Sequence, residues 1–543
     1  MQPLAEALAA QWPACTRNLH RLGFDGARVH LLLAVGEASG LLAELRACVD
    51  DFRVDELTLS GHAQRDLRWL CKGLARLAAA DAQLSAPPPL QALRPALASA
   101  GFVLDATPGP KAGAAPGPKA GAAPGAIHAR YRPAFTPRQR GDAPQHATAV
   151  EPHALIVGAG LAGCAAAAAL AEQGWRSTLI DGAAAPAAQA SGNPAGLFHG
   201  SVNPQDGTHA RFNRAAALQA RRTVQHALDA GLAQGSAQGL LRVDTRGKTL
   251  AQMQAELSLL QLPPDYVQAL DAAQASALGA LPLAHAAWFF PGGGWVQPAA
   301  LARTSLHRAG AAAEFRGRLR VASLRRAGAH WQLLDDAGGV IAAASTVVLA
   351  NACDALRLLH TAHWPVHAVR GQISLCPPAL LRLPRIPVAG DGYVLPSVGG
   401  QAVFGASSQH DDDDAAVRDA DHAFNLQRLA RLAPQPLPAP AQLQGRVGWR
   451  CVAHDRLPLV GAVPDESAAA GLRLDRLDAV PRRPGLYLLG ALGSRGITWS
   501  ELAAQLLAAQ ITGAPLPLEA ALVNALDPAR FVLRAQRRQR SGR

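Results

Sequence analysis

Three glycines, spaced Gly158-x-Gly160-x-x-Gly163, stand where an apolar stretch, Ala154 to Val157, gives way to an alanine-rich one, roughly Ala162 to Gln173. This spacing suits phosphate chemistry. Gly158 permits a tight turn, Gly160 lets a pyrophosphate approach the backbone, and Gly163 lets helix and strand pack closely, with Ala159, Leu161 and Ala162 completing the loop. The helix N-terminus beyond it would aim backbone N–H groups and a partial positive charge at the anion. A second strand, Ser177 to Ile180, ends in Asp181, about where a dinucleotide fold places the acid that holds a ribose. A dinucleotide site is expected here.

Two further segments bear on the same chemistry. Ala190-Ser191-Gly192-Asn193-Pro194-Ala195-Gly196 is small and polar, which suits a loop passing close to a flat aromatic ring. Near the C-terminal end, Gly493-Ser494-Arg495-Gly496-Ile497-Thr498 follows a strand, Gly485 to Gly490, and opens a helix from about Trp499 to Ile511. Such a turn gives a second set of N–H groups directed at a negative group, such as the pyrimidine edge of a reduced flavin. Thr346 to Leu349 reads as a buried strand that ends in the small residues Ala350-Asn351-Ala352.

The elements that must position these loops belong to a long α/β unit, residues 151–533. Residues 1–105 read as a separate α/β unit, with a strand at Val29 to Val35, helices at Leu41 to Cys48 and Leu67 to Ala80, and a late strand within Ala100 to Asp105. Between the two units, residues 106–150 are expected to be a linker. It holds the direct repeat Pro108 to Ala115 and Pro116 to Ala123, too rich in Pro and Gly for a packed core, then a basic stretch with Arg130, Tyr131, Arg132, Arg138 and Arg140. The acidic run Asp411 to Asp414 is expected to lead a helix, Ala415 to Leu432. Residues 534–543, with Arg534, Arg537, Arg538, Arg540 and Arg543, read as a frayed basic tail.

Composition narrows the classes. Of 543 residues, 49% are hydrophobic and 17% charged, and no apolar run reaches the roughly 18 residues that span a bilayer, so no membrane partner is expected. The first residues carry neither the basic region nor the apolar core of a signal peptide, which makes a cytoplasmic protein the expectation. Seven widely spaced cysteines, with no CxxC pair, read as free thiols in a reducing compartment; no metal site is expected. The net charge of +12 favours an anionic partner, nucleic acid above all.

Taken in order, these loops resemble the D-amino-acid oxidase and glycine oxidase class of FAD enzymes. Pro291-Gly-Gly-Gly-Trp295-Val-Gln-Pro298, Val369-Arg370-Gly371-Gln372, Gly392-Tyr393-Val-Leu-Pro396 and Gly448-Trp-Arg450-Cys-Val-Ala-His454-Asp455 fall in the same pattern. Within that class the wording at 190–196, 290–298, 445–464 and 493–499, and the ending Leu526-Asp-Pro-Ala-Arg-Phe531, is similar to the oxidase half of the bifunctional tRNA 5-methylaminomethyl-2-thiouridine biosynthesis family. The resemblance implies an FAD-binding Rossmann-like domain with an inserted α+β substrate domain, preceded by a partial α/β methyltransferase-like domain. It implies oxidative removal of the carboxymethyl group from 5-carboxymethylaminomethyl-uridine, often 2-thiolated, at the wobble position of a tRNA anticodon stem-loop. Through it, Arg450 is the first choice for the group that clamps the substrate carboxylate, Arg495 the second, and Arg370 and Tyr393 further candidates. The first 105 residues resemble that family's methyltransferase half at Gln11-Trp-Pro13, His20-Arg-Leu22 and Gly26-Ala-Arg-Val29. The family's Leu-Asp-Gly-Phe-Ala-Pro motif, however, stands as Leu59-Ser60-Gly61-His62-Ala63-Gln64, and its S-adenosylmethionine glycine loop is expected upstream of the segments present. These departures argue against S-adenosylmethionine as a cofactor.

Two other readings are compatible with the residues. One is an oxidase of free glycine or sarcosine, which needs neither a basic surface nor an N-terminal unit. The other is a tRNA-binding flavoprotein without catalysis.

Overall fold

The computed structural model describes residues 2–55, 64–105, 126–134 and 151–541. Its centre is a six-stranded sheet in the order Ala313–Arg316, Arg176–Ile180, His153–Val157, Thr346–Leu349, Arg482–Gly490, Leu459–Pro464. All neighbours are parallel except the last pair. Both faces are covered, which is why these strands read as unbroken apolar runs. Ala154 and Ile156 face the helices Leu161–Ala171 and Gly496–Thr512, whereas Leu155 and Val157 face Trp331 and Leu333 of a three-stranded antiparallel sheet. Along a strand successive side chains alternate faces, so each core receives every second residue.

The helix Leu161–Ala171 is buried at ten consecutive positions, Leu161 to Leu170. Its alanines let the helices Gly496–Thr512 and Pro298–Ala309 come close, so a residue type with little apolar area is used here for contact distance rather than for area.

The inserted substrate unit is a nine-stranded sheet. Its central order is Leu240–Val243, Val388–Ala389, Tyr393–Val394, Ala402–Gly405, Val366–Cys376, and Gln444–Ala453 pairs with Val366–Cys376 along ten residues. The helix Asp419–Leu432 lays Leu426, Leu429 and Leu432 against Phe404 on its back.

The N-terminal unit has an antiparallel pair, Leu19–Phe24 with Val29–Ala34, and a four-stranded sheet in the order Val49–Arg53, Ala78–Ala86, Ile127–Tyr131, Phe102–Leu104. It docks on the unit that begins at residue 151 through polar contacts: Arg21 Nη1 to Glu172 Oε2 at 3.1 Å, Leu516 N–H to Arg46 O at 2.9 Å, and Ala521 N–H to Glu44 Oε2 at 2.8 Å.

Several expected boundaries move. Ile127–Tyr131, expected within the linker, is an interior strand: Ile127, Ala129 and Tyr131 point into the core and pair both neighbouring strands. Helix Gln64–Leu77 ends three residues before the expected Ala80, because Ala78–Ala86 is a strand that buries Ala82, Leu84 and Ala86. The expected helix 41–48 runs over Ala38–Glu44. The basic tail is part of a helix, Arg530–Ser541, held by Arg530 and Arg534 on Asp455. The repeat, Ser60, Arg138, Arg140 and Arg543 lie outside the described residues.

Candidate active site

The sheet's carboxyl edge and the substrate sheet enclose a cavity of about 750 Å³, a size suited to a cofactor with its substrate. The glycine loop forms one wall. Gly158 has φ +100°, and a Cβ there would meet the Ala350 carbonyl and Asn351 N at 2.8 Å. A Cβ on Gly163 would lie 1.9 Å from the Gly158 carbonyl oxygen, so Gly163 serves helix–loop packing and does not face the cavity. Gly160 faces it, and a Cβ there would touch only Ser191 Oγ, at 3.2 Å.

Asp181 also reaches the cavity, yet both its oxygens accept backbone N–H groups, Ala159 at 2.7 Å and Ala183 at 2.8 Å. It pins the glycine loop to the second strand. Ala159 is buried behind that bond. Leu161 and Ala162, at the helix N-terminus, line the cavity, and Ser191 Oγ accepts the Leu161 N–H at 3.1 Å. Asn193 lines it too and accepts from Arg446 Nε at 3.1 Å. Gly192 lies behind, where a Cβ would meet Arg446 Nη2 at 2.6 Å.

The opposite loop is a 3-10 turn, Gly493–Arg495, running into helix Gly496–Thr512. Gly493, Ser494, Gly496, Ile497 and Thr498 all line the cavity. The helix begins three residues earlier than expected, so its first N–H groups come from the glycine turn itself.

Among the substrate candidates, Arg450 faces the cavity from strand Gln444–Ala453. Its Nη2 donates to the Ser407 carbonyl at 2.7 Å, and among the described residues no carboxylate pairs with it. Burial lowers its pKa below the usual arginine value. The glycine at 371 makes room for it: a Cβ there would lie 2.3 Å from Arg450 Nη2. Tyr393 stands beside it, its phenol pushed up to about 12 by burial against the pull of Arg450. Arg495 lies over the Trp499 ring at 5.5 Å, its pKa pushed down to about 10 by burial and then by Arg242 and Arg456.

Arg370 must be withdrawn from the candidates. Its side chain is fully buried, and Nη1 pairs with Asp421 Oδ2 at 2.6 Å while Nε and Nη2 donate to the carbonyls of Asp414 and Ala416. Neighbours on a strand face opposite sides. Gly371 faces the cavity, so Arg370 faces the helix behind it. The acidic run is corrected with it. The helix starts at Asp419, and Asp412 and Asp414 bind Arg418 instead of leading the first turn.

Two cavity residues escaped the sequence reading. His199 stacks on Phe290 at 5.5 Å, and its Nδ1 bonds the Gly200 carbonyl at 2.5 Å. Burial, then the charge of Arg242, pushes its pKa down to about 3. Arg242 enters from strand Leu240–Val243, where Leu-Leu-Arg-Val places a charge inside an apolar strand; that interruption was its available signal. Among the described residues no group of three His, Cys, Asp or Glu is placed to hold a metal ion, and no helix is long and apolar enough to cross a membrane.

Residues 153–510 match the family described as FAD dependent oxidoreductase. A tRNA 5-methylaminomethyl-2-thiouridine biosynthesis bifunctional protein MnmC from Methylibium petroleiphilum is 46% identical over 549 residues, covering 98% of this chain and 82% of that protein. The chain belongs to the MnmC family. Among solved structures, iminodiacetate oxidase from Chelativorans sp. BNC1 is 25% identical with a TM-score of 0.51, covering 67% of this chain and 96% of that one. Glycine oxidase from Geobacillus kaustophilus, at 24% identity and a TM-score of 0.52 over 66% and 94% of the two chains, shares the fold. The expected Rossmann-like FAD unit with an inserted substrate domain is thus the fold of this MnmC chain. Its cofactor is FAD, and the geometry fits that group: a glycine loop and a helix N-terminus for the pyrophosphate, and the 493–498 turn across the cavity.

Proposed function

We propose that this MnmC chain oxidises the 5-carboxymethylaminomethyl group of a wobble uridine, with or without 2-thiolation, in the anticodon stem-loop of tRNA. FAD, held by the 158–162 loop and the 493–498 turn, would supply the acceptor for the hydride of the methylene carbon between the amine and the carboxylate. Loss of that hydride and of the nitrogen's proton leaves a substrate imine. Water adds to the imine carbon, the C–N bond breaks, and the products are 5-aminomethyl-uridine and glyoxylate.

The observation that carries this reading is Arg450: a cationic fork facing the cavity, with no carboxylate among the described residues to pair it. An arginine held this way is suited to a carboxylate brought by the substrate, in bidentate contact. Tyr393 alongside remains protonated at neutral pH and can donate to the same carboxylate. The chain's part is to orient the arm and to exclude water until the hydride has left. Iminodiacetate, after which the structurally similar oxidase is named, is itself a secondary amine carrying carboxymethyl groups, the same reacting unit. The net charge of +12 suits a polyanionic substrate. Residues 1–105, with the strand at 127–131, are read as the methyltransferase-like unit, and Ser60 in place of its acid leads us to assign the aminomethyl base as the product that leaves this chain.

The test is to delete the gene and analyse tRNA nucleosides. Carboxymethylaminomethyl-uridine should accumulate, and restoring this chain should yield aminomethyl-uridine with little methylated product. Purified protein that turned over free glycine or sarcosine at rates matching the tRNA would sink the reading.

A further inference from the structure

Arg450 accounts for one anion, but the cavity holds a second cationic group. Arg242 and Arg495 both line it, from the substrate sheet and from the 493–495 turn. Exposed Arg456 and Arg246 continue the charge outward from them. Among the described residues none of the four has a carboxylate at ion-pair distance. Asp244, the acid whose charge acts on Arg242, already accepts the backbone N–H groups of Arg246 at 2.8 Å and Lys248 at 3.2 Å through Oδ1. Histidines on this side are kept neutral: His199 in the cavity, and His209, which packs on the Trp499 ring that Arg495 shares.

A guanidinium cannot shed its charge by losing a proton in this range. Half-buried guanidiniums that repel one another persist at a cost unless an anion joins them. Arg242 stands on strand Leu240–Val243 and Arg450 on strand Gln444–Ala453, with four strands of the same sheet between them. In keeping with that separation, the charges that act on Arg495 are those of Arg242 and Arg456, whereas those that act on Arg450 are Tyr393 and Arg428. The two groups therefore serve different anions. A carboxymethylaminomethyl base offers one carboxylate, and the remaining anions of a nucleic acid strand are its phosphodiesters.

We propose that Arg242 and Arg495 form a second anion subsite in this cavity, distinct from the carboxylate position at Arg450, and that it binds a backbone phosphate of the RNA strand bearing the reacting base. The inference rests on the tRNA reading above. It makes the enzyme's preference for a polymer a property of the cavity itself: a free amino acid fills the Arg450 position and leaves the second one empty. Arg246 and Arg456 would then meet the next phosphates along the strand.

The experiment compares two substrates on the FAD-loaded enzyme: tRNA carrying the modified uridine, and the same modified uridine as a free nucleoside. Arg242→Ala should raise KM for the tRNA roughly ten- to a hundredfold, the loss of one charged contact, and leave kcat/KM on the nucleoside within about twofold. Arg242→Lys should recover most of the tRNA KM, since a phosphate accepts a point charge. The salt dependence of anticodon stem-loop binding should flatten by about 0.7 in log–log slope, one phosphate's share for a single strand. Arg246→Ala, an exposed change, guards against misfolding of the Arg242 variant and should give a smaller shift in the same direction. Equal losses on tRNA and nucleoside would assign Arg242 to the base or its arm and overturn the proposal. Loss of bound flavin in Arg242→Ala would assign the subsite to the cofactor and overturn it too. Wild-type enzyme that oxidised the nucleoside but ignored the tRNA would overturn the functional reading itself and this inference with it.

Discussion

At the scale of single residues, Arg450 and Gly371 act as a pair. Arg450→Ala should leave flavin bound and lower kcat/KM for tRNA roughly thirtyfold to a few thousandfold, the range for removing one partner of a desolvated charge pair, about 2–5 kcal/mol. Arg450→Lys should rescue only part, because an ammonium cannot form the bidentate fork. Gly371→Val should mimic the arginine loss with Arg450 itself unmutated, since its side chain would displace Nη2; wild-type turnover by that variant would remove Arg450 from the proposed clamp. The glycine loop gives a contrast. At Gly160 an added Cβ meets only a serine hydroxyl, so Gly160→Val should fold but elute without yellow colour. Gly163→Val meets backbone at under 2 Å and should fail to give soluble protein. The loop was legible because its chemistry is local: turn, approach and helix N-terminus lie within six consecutive residues. The proposed clamp was legible only as a set of arginines. Whether Arg370 or Arg450 faces the cavity depends on strand register and on which face the helix Asp419–Leu432 covers, and neither is written in the neighbouring residues.

At the scale of elements, Arg370 fastens the strand Val366–Cys376 to the segment leading into the helix Asp419–Leu432. Arg370→Met leaves Asp421, almost fully buried, without its charge partner. Such a loss costs about 3–5 kcal/mol, so the melting temperature should fall by several degrees while kcat/KM of the surviving fold changes little. A large catalytic loss with unchanged melting would return Arg370 to the site. The strand Ile127–Tyr131 shows why some elements stayed hidden. Its alternation of Ile127, Ala129 and Tyr131 is a clear period of two, but His128, Arg130 and Arg132 interleave with it and a Pro/Gly repeat precedes it. The charged outer face reads as a basic linker until the neighbouring strands show which face is inside. Arg242 was hidden by the same ambiguity in reverse, a single charge in an apolar strand whose cavity face no local pattern marks.

At the scale of the whole molecule, stability should respond to acid through His199. Its pKa is about 3 in the folded chain against 6.5 for the free side chain, so the unfolded chain takes up a proton that the folded one refuses. The contribution is present above pH 6.5 and is lost as pH falls toward 3, with a slope of about 1.4 kcal/mol per pH unit while the two states differ by one proton. Thermal melting of the flavin-loaded protein should therefore decline below pH 6.5, and His199→Gln should decline less steeply. Parallel curves for the two proteins would show that the ring is already solvated in the folded state.

The pairing of Ile127–Tyr131 with both Ala78–Ala86 and Phe102–Leu104 changes what a break in the chain would do. The duplicated octapeptide connects two strands of one sheet, not two domains. A peptide bond cut between its copies should yield two pieces that purify as one complex, because the ladder and the core around Phe102 and Tyr131 hold both ends. Deleting one copy should barely alter melting, since even halving a closed loop changes its entropy by only about 0.6 kcal/mol. The chain could thus be supplied as two separately expressed polypeptides that reassemble, the break falling inside the N-terminal unit and leaving the oxidase whole.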